Sequence, residues 1–164
     1  MKRLSLILIL AFSLSIVSAQ KVAYIHRDSV FNNMPEAQKA QEELNVFLNQ
    51  VQTEIETMQG EYQKKIEIFN QNVNSYTESV KTNKVTEIQD LEKRIQDFQV
   101  NAQTDYLAKQ KELIVPIRDK FDKAVETVRL RLKYDVVMNI GPDVLYVNPK
   151  FIITEDVMKE LGIK

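Results

Sequence analysis

The residues that could carry out chemistry are few. His26 is the one histidine of the chain, and the sequence contains no cysteine. A disulfide, a thiol nucleophile and a zinc–thiolate centre are therefore excluded, and no second histidine completes an HExxH motif. The patterns GxGxxG, GxxxxGKS/T and GxSxG are absent too, which argues against nucleotide binding and against a serine nucleophile. We expect no enzyme activity, no catalytic residue, no metal and no cofactor.

Carboxylates are abundant but do not form a catalytic pattern. Residues such as Glu42, Glu87 and Asp90 stand among polar neighbours in helical stretches, which is typical of a solvated helix face. The net charge is −1, so the chain has no electrostatic reason to bind nucleic acid.

Two apolar stripes dominate the middle of the chain at spacings of three and four, which indicates helices with one buried seam. The first contains Leu44, Leu48, Val51, Ile55, Met58, Tyr62, Ile66, Phe69 and Val73; the second contains Val85, Ile88, Leu91, Ile95, Phe98, Ala102, Tyr106, Leu113 and Ile117. The two stripes match each other when one of them is read in reverse order. If each residue of the first stripe is paired with its counterpart in the second, the two residue numbers add to a nearly constant sum, as they do in two antiparallel helices. This predicts a long antiparallel helical hairpin, a coiled-coil arm, over residues 35–116 with its tip near residues 75–83.

Several apolar residues fall outside this seam: Phe47, Val80, Val100, Leu107 and Ile114. They either pack beside the seam or against a neighbouring chain, or they form an exposed surface that holds a partner. The tip is rich in Asn, Gln, Ser and Thr, whose side chains compete for backbone hydrogen bonds and favour a mobile turn. Ser79 or Thr82 is expected to cap the returning helix.

The remaining residues predict short elements at the base of the hairpin. Val22–Ile25 reads as a strand buried on both faces, and the apolar runs 135–140 and 144–147 around Gly141 and Pro142 read as a β-hairpin. Thr154 is expected to cap a last helix that ends before Gly162. The fold class is α+β, mainly α, with a β-body over residues 20–34 and 117–164. Three short strands barely stand alone in water, so other subunits should complete this body.

Residues 1–19 have the features of a signal peptide. Lys2 and Arg3 precede an apolar run from Leu4 to Val17, and Val17-Ser18-Ala19 is a small-residue cleavage site. The run of about fourteen residues is shorter than the roughly 20 that a membrane-spanning helix needs. We expect cleavage after Ala19, export, and no stable membrane insertion.

The order of these pieces resembles the Skp family of periplasmic chaperones, also called OmpH-like proteins. The stretches that carry the likeness are KVAYI and DSVF in residues 21–31, QDLEKRIQDFQ in 89–99, KELIVPI and AV in 111–125, and YDVV, VLY and ITEDV in 134–157. The resemblance implies a homotrimer in which strands of three chains form a body and helical arms enclose a cavity. Family members hold unfolded outer-membrane β-barrel proteins in the periplasm without ATP.

On this hypothesis we assign two sets of functional residues. We predict that clients contact Ile66, Phe69, Tyr76, Val80 and Val100, and that the subunits associate through Tyr24, Val136, Val137, Leu145 and Tyr146. The family's best-known members have basic arms, whereas Tyr62–Ala102 contains six basic and six acidic residues, which favours apolar contact over electrostatic capture. The alternative is a structural coiled-coil scaffold of the envelope, which would ignore unrelated unfolded proteins.

Overall fold

The computed structural model describes residues 20–163, which divide into two compact units. Residues 31–122 form the hairpin unit; the described residues up to Val30 and from Lys123 onward form the sheet unit. The elements are β1 (Val22–Ile25), α1 (Arg27–Asn33), α2 (Pro35–Asn72), α3 (Glu78–Leu132), β2 (Val136–Asn139) and α4 (Thr154–Glu160). Long helices and one small sheet confirm the mainly α fold class. The predicted signal peptide lies outside the described residues.

The hairpin unit consists of α2 and the antiparallel stretch of α3. Pro35 occupies the first turn of α2, as predicted, because a missing N–H costs nothing there. Met58 of α2 packs with Leu91 and Ile95 of α3, and Tyr62 and Phe98 pack against this cluster. The helix α3 continues through Pro116 to Leu132.

The seam of α2 repeats every eleven residues. From Ala40 on, its buried and half-buried positions, with Val73 just past the end of the helix, are Ala40, Val51, Tyr62 and Val73, then Leu44, Ile55 and Ile66, then Phe47, Met58 and Phe69. Eleven residues in three turns give about 3.67 residues per turn, close to the 3.6 of a straight α-helix. The seam can therefore stay on one side of the helix with little supercoiling.

Two residues assigned to the seam from the sequence do not belong to it. Leu48 is 45 % exposed and Val85 is 38 % exposed, whereas Phe47, predicted outside the seam, is half-buried. The Phe47 ring lies 6.4 Å from the ring of Tyr106. Phe47 and Leu48 both follow Leu44 at helical spacing, and the aromatic partner across the seam selects Phe47.

The turn between α2 and α3 occupies residues 73–77, beginning with a short 3-10 helix at Val73–Ser75. Thr77 caps the N-terminus of α3, because its Oγ1 accepts a 3.4 Å hydrogen bond from the N–H of Val80. Thr82 already lies inside α3 and donates to the carbonyl of Glu78. The prediction that Ser79 or Thr82 caps the helix was therefore wrong.

The sheet unit is built around β1. In a parallel ladder, Val22 pairs with Val136 and Ile25 with Asn139, and Tyr24 forms a bridge with Ile152 on the other edge. Ala23 and Ile25 are buried, whereas Val22 and Tyr24 are only half-buried. Burial of both faces, expected from the sequence, is thus not found within one chain.

The predicted β-hairpin around Gly141 and Pro142 was wrong. β2 pairs with β1 rather than with residues 144–147, which have no strand assignment. Bonds from the N–H of Asp135 to the Lys21 carbonyl (2.8 Å) and from the N–H of Ile140 to the Ile25 carbonyl (2.9 Å) extend the ladder at its two ends. This long-range pairing overrides the local turn signal, since sheet pairing depends on tertiary context.

The last helix ends as predicted but begins differently. Gly162 adopts a φ of 73° just beyond α4, and the N–H of Ile163 donates to the Met158 carbonyl at 2.9 Å, which is a glycine-terminated Schellman end. Thr154 is the first residue of α4 rather than its cap. Its Oγ1 instead accepts a 2.9 Å hydrogen bond from the N–H of His26.

Candidate functional site

Four of the five predicted client-contact residues lie near the tip of the hairpin. Ile66 and Phe69 belong to the end of α2, Tyr76 to the connection and Val80 to the first turn of α3. The rings of Phe69 and Tyr76 lie 6.3 Å apart at 41°, an arrangement that stabilises aromatic pairs. Ile66, Phe69 and Tyr76 are half-buried, whereas Val80 is 37 % exposed.

Side-chain hydrogen bonds to the backbone support the tip. Asn72 Nδ2 donates to the Ile68 carbonyl at 2.8 Å, and Ser75 Oγ donates to the Asn72 carbonyl at 2.7 Å. With the Thr77 cap, these bonds use the polar side chains that the sequence places there. The turn needs neither glycine nor proline because these side chains satisfy backbone groups that the helices leave open.

Val100, the fifth predicted residue, lies elsewhere. It is 67 % exposed on α3, twenty residues beyond Val80, or about 30 Å along a helix. Leu48 on α2 and Leu107 on α3, which are 45 % and 53 % exposed, also lie away from the tip of the hairpin. The structure therefore places exposed apolar side chains along the hairpin and does not gather them into one cluster.

The residues predicted for subunit association lie in the sheet unit. Leu145 is 99 % exposed and Tyr146 is 78 % exposed in a stretch without regular structure. Val136 is exposed on β2, while Val137 on β2 and Tyr24 on β1 are half-buried. The same region exposes Met138, Leu132 and Phe151, which sequence reasoning missed; for Met138, its position inside the apolar run 135–140 was the available signal.

The sheet has one unfinished edge within the described residues. β1 has β2 on one side and the Ile152 bridge on the other, whereas β2 pairs with β1 alone. An open strand edge presents unpaired N–H and C=O groups to any additional strand. The exposed side chains of Val136 and Met138 lie along this strand, so the edge offers both backbone and apolar contacts.

Some ion pairs of the hairpin connect its two helices, and others lie within α3. Lys65 contacts Glu87 at 3.0 Å and Lys109 contacts Glu43 at 3.5 Å. Hydrogen bonds from Lys65 and Lys84 lower the pKa of the exposed Glu87 carboxyl. The pKa of Glu36 is lowered likewise, chiefly by its hydrogen bond from Lys120. These contacts stabilise the ionised carboxylates, and they leave the lysines partly neutralised by their own chain.

The cations at the end of α3 are held by other residues of the sheet unit. Arg129 donates from Nε and Nη2 to both carboxylate oxygens of Glu126 at 2.8 and 2.7 Å, and from Nη1 to the Tyr134 carbonyl. This pairing lowers the pKa of Glu126 and raises that of Arg129. Arg131 pairs with Glu160 at 2.8 Å. Both arginines thus serve the local fold.

The described residues offer no acidic or histidine cluster that could hold a metal ion. Among the same residues, none of the helices combines the length and the apolar content that a membrane-spanning segment requires. His26 is exposed, and its backbone rather than its ring is bonded to Thr154.

Comparison with known proteins gives concordant matches. Residues 21–161 match the family model described as outer membrane protein (OmpH-like). The chaperone protein Skp of Yersinia enterocolitica is 28 % identical over 160 residues, covering 96 % of this chain and 94 % of that protein. An uncharacterized protein of Aquifex aeolicus is 34 % identical over 125 residues, covering 75 % of this chain and 74 % of that protein. The crystal structure of an OmpH-like outer membrane chaperone from Caulobacter crescentus superposes with a TM-score of 0.76 at 13 % identity, covering 88 % of this chain and 85 % of that one.

Proposed function

The chain belongs to the OmpH-like family, and from that membership we propose that it is an ATP-independent periplasmic holdase for unfolded outer-membrane β-barrel proteins. One observation carries the proposal beyond the family assignment. The hairpin unit leaves large apolar side chains exposed along its length, among them Leu48, Val100 and Leu107. A helical hairpin with such side chains can contact an unfolded chain at many separate points.

Many weak contacts suit a holdase. Apolar burial contributes about 25 cal/mol per Å², so each contact is individually small. Their sum can retain a client, while any one contact exchanges easily. Release then needs no nucleotide, because a folding or membrane-inserted barrel buries the same surface more completely. We place client contact at Ile66, Phe69, Tyr76, Val80 and Val100.

We further propose that the protein acts as a homotrimer. The open edge of β2 and the exposed Leu145 and Tyr146 suit association through strand addition and apolar burial. Tyr24, Val136 and Val137 would join this interface. In this proposal residues 20–34 and 117–164 form the assembly domain, residues 35–116 form the arm, and the signal peptide is removed after Ala19 on export.

The test is suppression of aggregation. A barrel protein is diluted from urea with and without residues 20–164 of this chain, in the absence of ATP, and light scattering is followed. We expect a molar excess of trimer to abolish the scattering rise, and to do so equally for two barrel proteins of unrelated sequence. Unchanged scattering would refute holdase activity.

A scaffold without holdase activity is the second candidate. The observation that favours it is the continuous eleven-residue seam together with the ion pairs across it, which would make a stiff spacer. The same scattering assay separates the two candidates, since a scaffold with fixed partners would leave both barrel proteins to aggregate.

A further inference from the structure

The residue that directly follows a seam residue of the hairpin is repeatedly a glutamine. Gln41, Gln52 and Gln63 follow the half-buried or buried Ala40, Val51 and Tyr62. The remaining members on α2 and α3 are Gln59, Gln89, Gln96, Gln99 and Gln103, which follow Met58, Ile88, Ile95, Phe98 and Ala102. Leu48, Leu107 and Ile114 take the same position after Phe47, Tyr106 and Leu113, and all are exposed. We call these eight glutamines and three apolar residues the amide face.

These residues share one side of the hairpin. At about 100° per residue, the position after a seam residue lies to one side of the seam and the position before it to the other. In two antiparallel helices that face each other, the residues that follow the seam residues lie on the same side of the hairpin. The second helix runs in the opposite direction and also presents its seam in the opposite direction, and the two reversals cancel. The structure agrees, since one groove is lined by Gln59 and Gln63 of α2 and Gln96 of α3.

The opposite side carries most of the charge. Glu43, Lys65 and Glu87 each directly precede a seam residue, and they form the ion pairs that join the helices. Asp97 and Asp105 stand in the same preceding position. We call this the charged face. On the amide side, Glu56, Glu67 and Glu92 are the charged exceptions between residues 41 and 114. Glu56 accepts a 2.8 Å hydrogen bond from Nε2 of Gln52.

We propose that the amide face is a further client-contact surface of the hairpin, in addition to the five residues named above, and that it takes extended, uncharged stretches of unfolded polypeptide. This inference rests on the proposed holdase function. A glutamine side chain offers both an acceptor and two donors, so a row of glutamines matches the unpaired C=O and N–H groups of an extended backbone. Leu48 and Leu107, 45 % and 53 % exposed, can bury the apolar side chains that alternate along such a segment.

Charge complementarity selects the occupant. Lys65 and Lys109 already have carboxylate partners in their own chain, so their attraction for an acidic client is weakened. A charged segment on the amide face would lose water without gaining an ionic partner, which is unfavourable. An uncharged segment loses less hydration free energy when it leaves water, and it gains hydrogen bonds from the glutamine amides.

The test uses a matched pair of double variants. Gln52→Glu with Gln103→Glu adds two negative charges to the amide face. Gln50→Glu with Asn101→Asp adds the same two charges to the charged face at the same level, because these residues precede Val51 and Ala102. Glutamine and glutamate have similar helix propensities, and circular dichroism checks that both variants stay helical. The probe is a dye-labelled outer-membrane barrel protein diluted from urea, and its dissociation constant is measured by fluorescence anisotropy.

We expect the amide-face variant to bind about tenfold more weakly, equivalent to about 1.4 kcal/mol, and the charged-face variant to stay within about twofold of the wild type. Raising NaCl from about 0.01 M to 1 M, which shortens the screening length from about 30 Å to about 3 Å, should change wild-type affinity less than about twofold. Equal affinities of the two variants, or a large loss with salt, would overturn the inference. A wild-type protein that binds no client at all would refute the holdase proposal itself, which is a distinct result.

Discussion

The two units of this protein differ in how completely they bury their own apolar surface. The hairpin unit closes a seam with its own residues, and most of its exposed apolar side chains, such as Val100, stand among polar neighbours, apart from the adjacent Ile114 and Val115. The sheet unit leaves adjacent apolar residues exposed, with Leu145 and Tyr146 side by side and β2 open at one edge. Scattered exposure suits loose binding, whereas contiguous exposure suits permanent association. The predictions below test this difference, from the largest expected effect to the smallest.

The largest effect is expected from Leu145→Asp. This side chain is almost fully exposed, so the substitution should leave the subunit folded while placing a charge in the proposed interface, where an unpaired charge is very unfavourable. We expect the trimer to be lost completely, as sedimentation velocity would show. Val137→Asp should also abolish the trimer, but Val137 is paired with Ala23 in the sheet, so its effect on the subunit itself must be measured separately.

The control for this prediction is Val100→Asp in the hairpin, which adds the same charge at an exposed apolar site. It should remain trimeric. A trimer that survives Leu145→Asp but dissociates with Val100→Asp would show that the subunits associate through the hairpin unit, which would contradict the assignment to the sheet unit.

The next effect concerns the seam. Leu91 is 3 % exposed and packs with Met58 and Ile95, so Leu91→Ala should lower the free energy of unfolding by about 2–5 kcal/mol. Val100→Ala, on the same helix but exposed, should change it by less than about 0.5 kcal/mol. Urea denaturation followed by circular dichroism measures both. Similar values for the two variants would mean that the seam does not carry the stability of the hairpin.

A smaller pair of opposite effects is expected at two glycines, one in each unit. Gly60 lies inside α2 with open space where a Cβ would be, so Gly60→Ala should stabilise the hairpin by about 0.5–1 kcal/mol. Gly162 has a φ of 73°, so Gly162→Ala should destabilise the sheet unit by about 1–2 kcal/mol. Thermal unfolding distinguishes the two directions, and two shifts of the same sign would contradict the assignment.

The smallest effect is a pH dependence of the hairpin. The pKa of Glu87 is lowered by its hydrogen bonds from Lys65 and Lys84, so its ionised form stabilises the folded state above the ordinary carboxyl pKa of 4.5. This contribution is lost as the pH falls below 4.5 through the lowered pKa. The melting temperature of Glu87→Gln should therefore lie slightly below that of the wild type at pH 7 and converge with it in acid. If the difference between the two melting temperatures increased in acid, the stabilising role of the ionised Glu87 would be contradicted.

The sequence predicts well what local chemistry decides. The helical hairpin follows from apolar spacing, the start of α2 from Pro35, and the end of α4 from Gly162, because each depends on residues within a few positions. It fails where a distant partner decides. The sequence of residues 135–140 suggests a strand, but it does not show that this strand pairs with β1, more than a hundred residues earlier. Likewise, the sequence around Thr154 does not show that its hydroxyl oxygen accepts a hydrogen bond from the N–H of His26.

The candidate site shows the same division. The spacing places Phe47 and Leu48 equally well after Leu44, and only Tyr106 across the seam decides between them. The exposed Val100 and Leu107 could be recognised from the sequence because they fall outside the periodic pattern. The amide face could not be recognised until the positions of the seam were known. The client-contact and association residues named from the sequence stay predictions.

The most direct test of the central claim is native mass spectrometry of residues 20–164, alone and after addition of a urea-diluted outer-membrane barrel protein. We predict a trimer that takes up one unfolded client and keeps its three subunits. A monomer would contradict the assignment of the sheet unit as the association surface. A trimer that never carries a client would contradict the assignment of the hairpin as the holding surface.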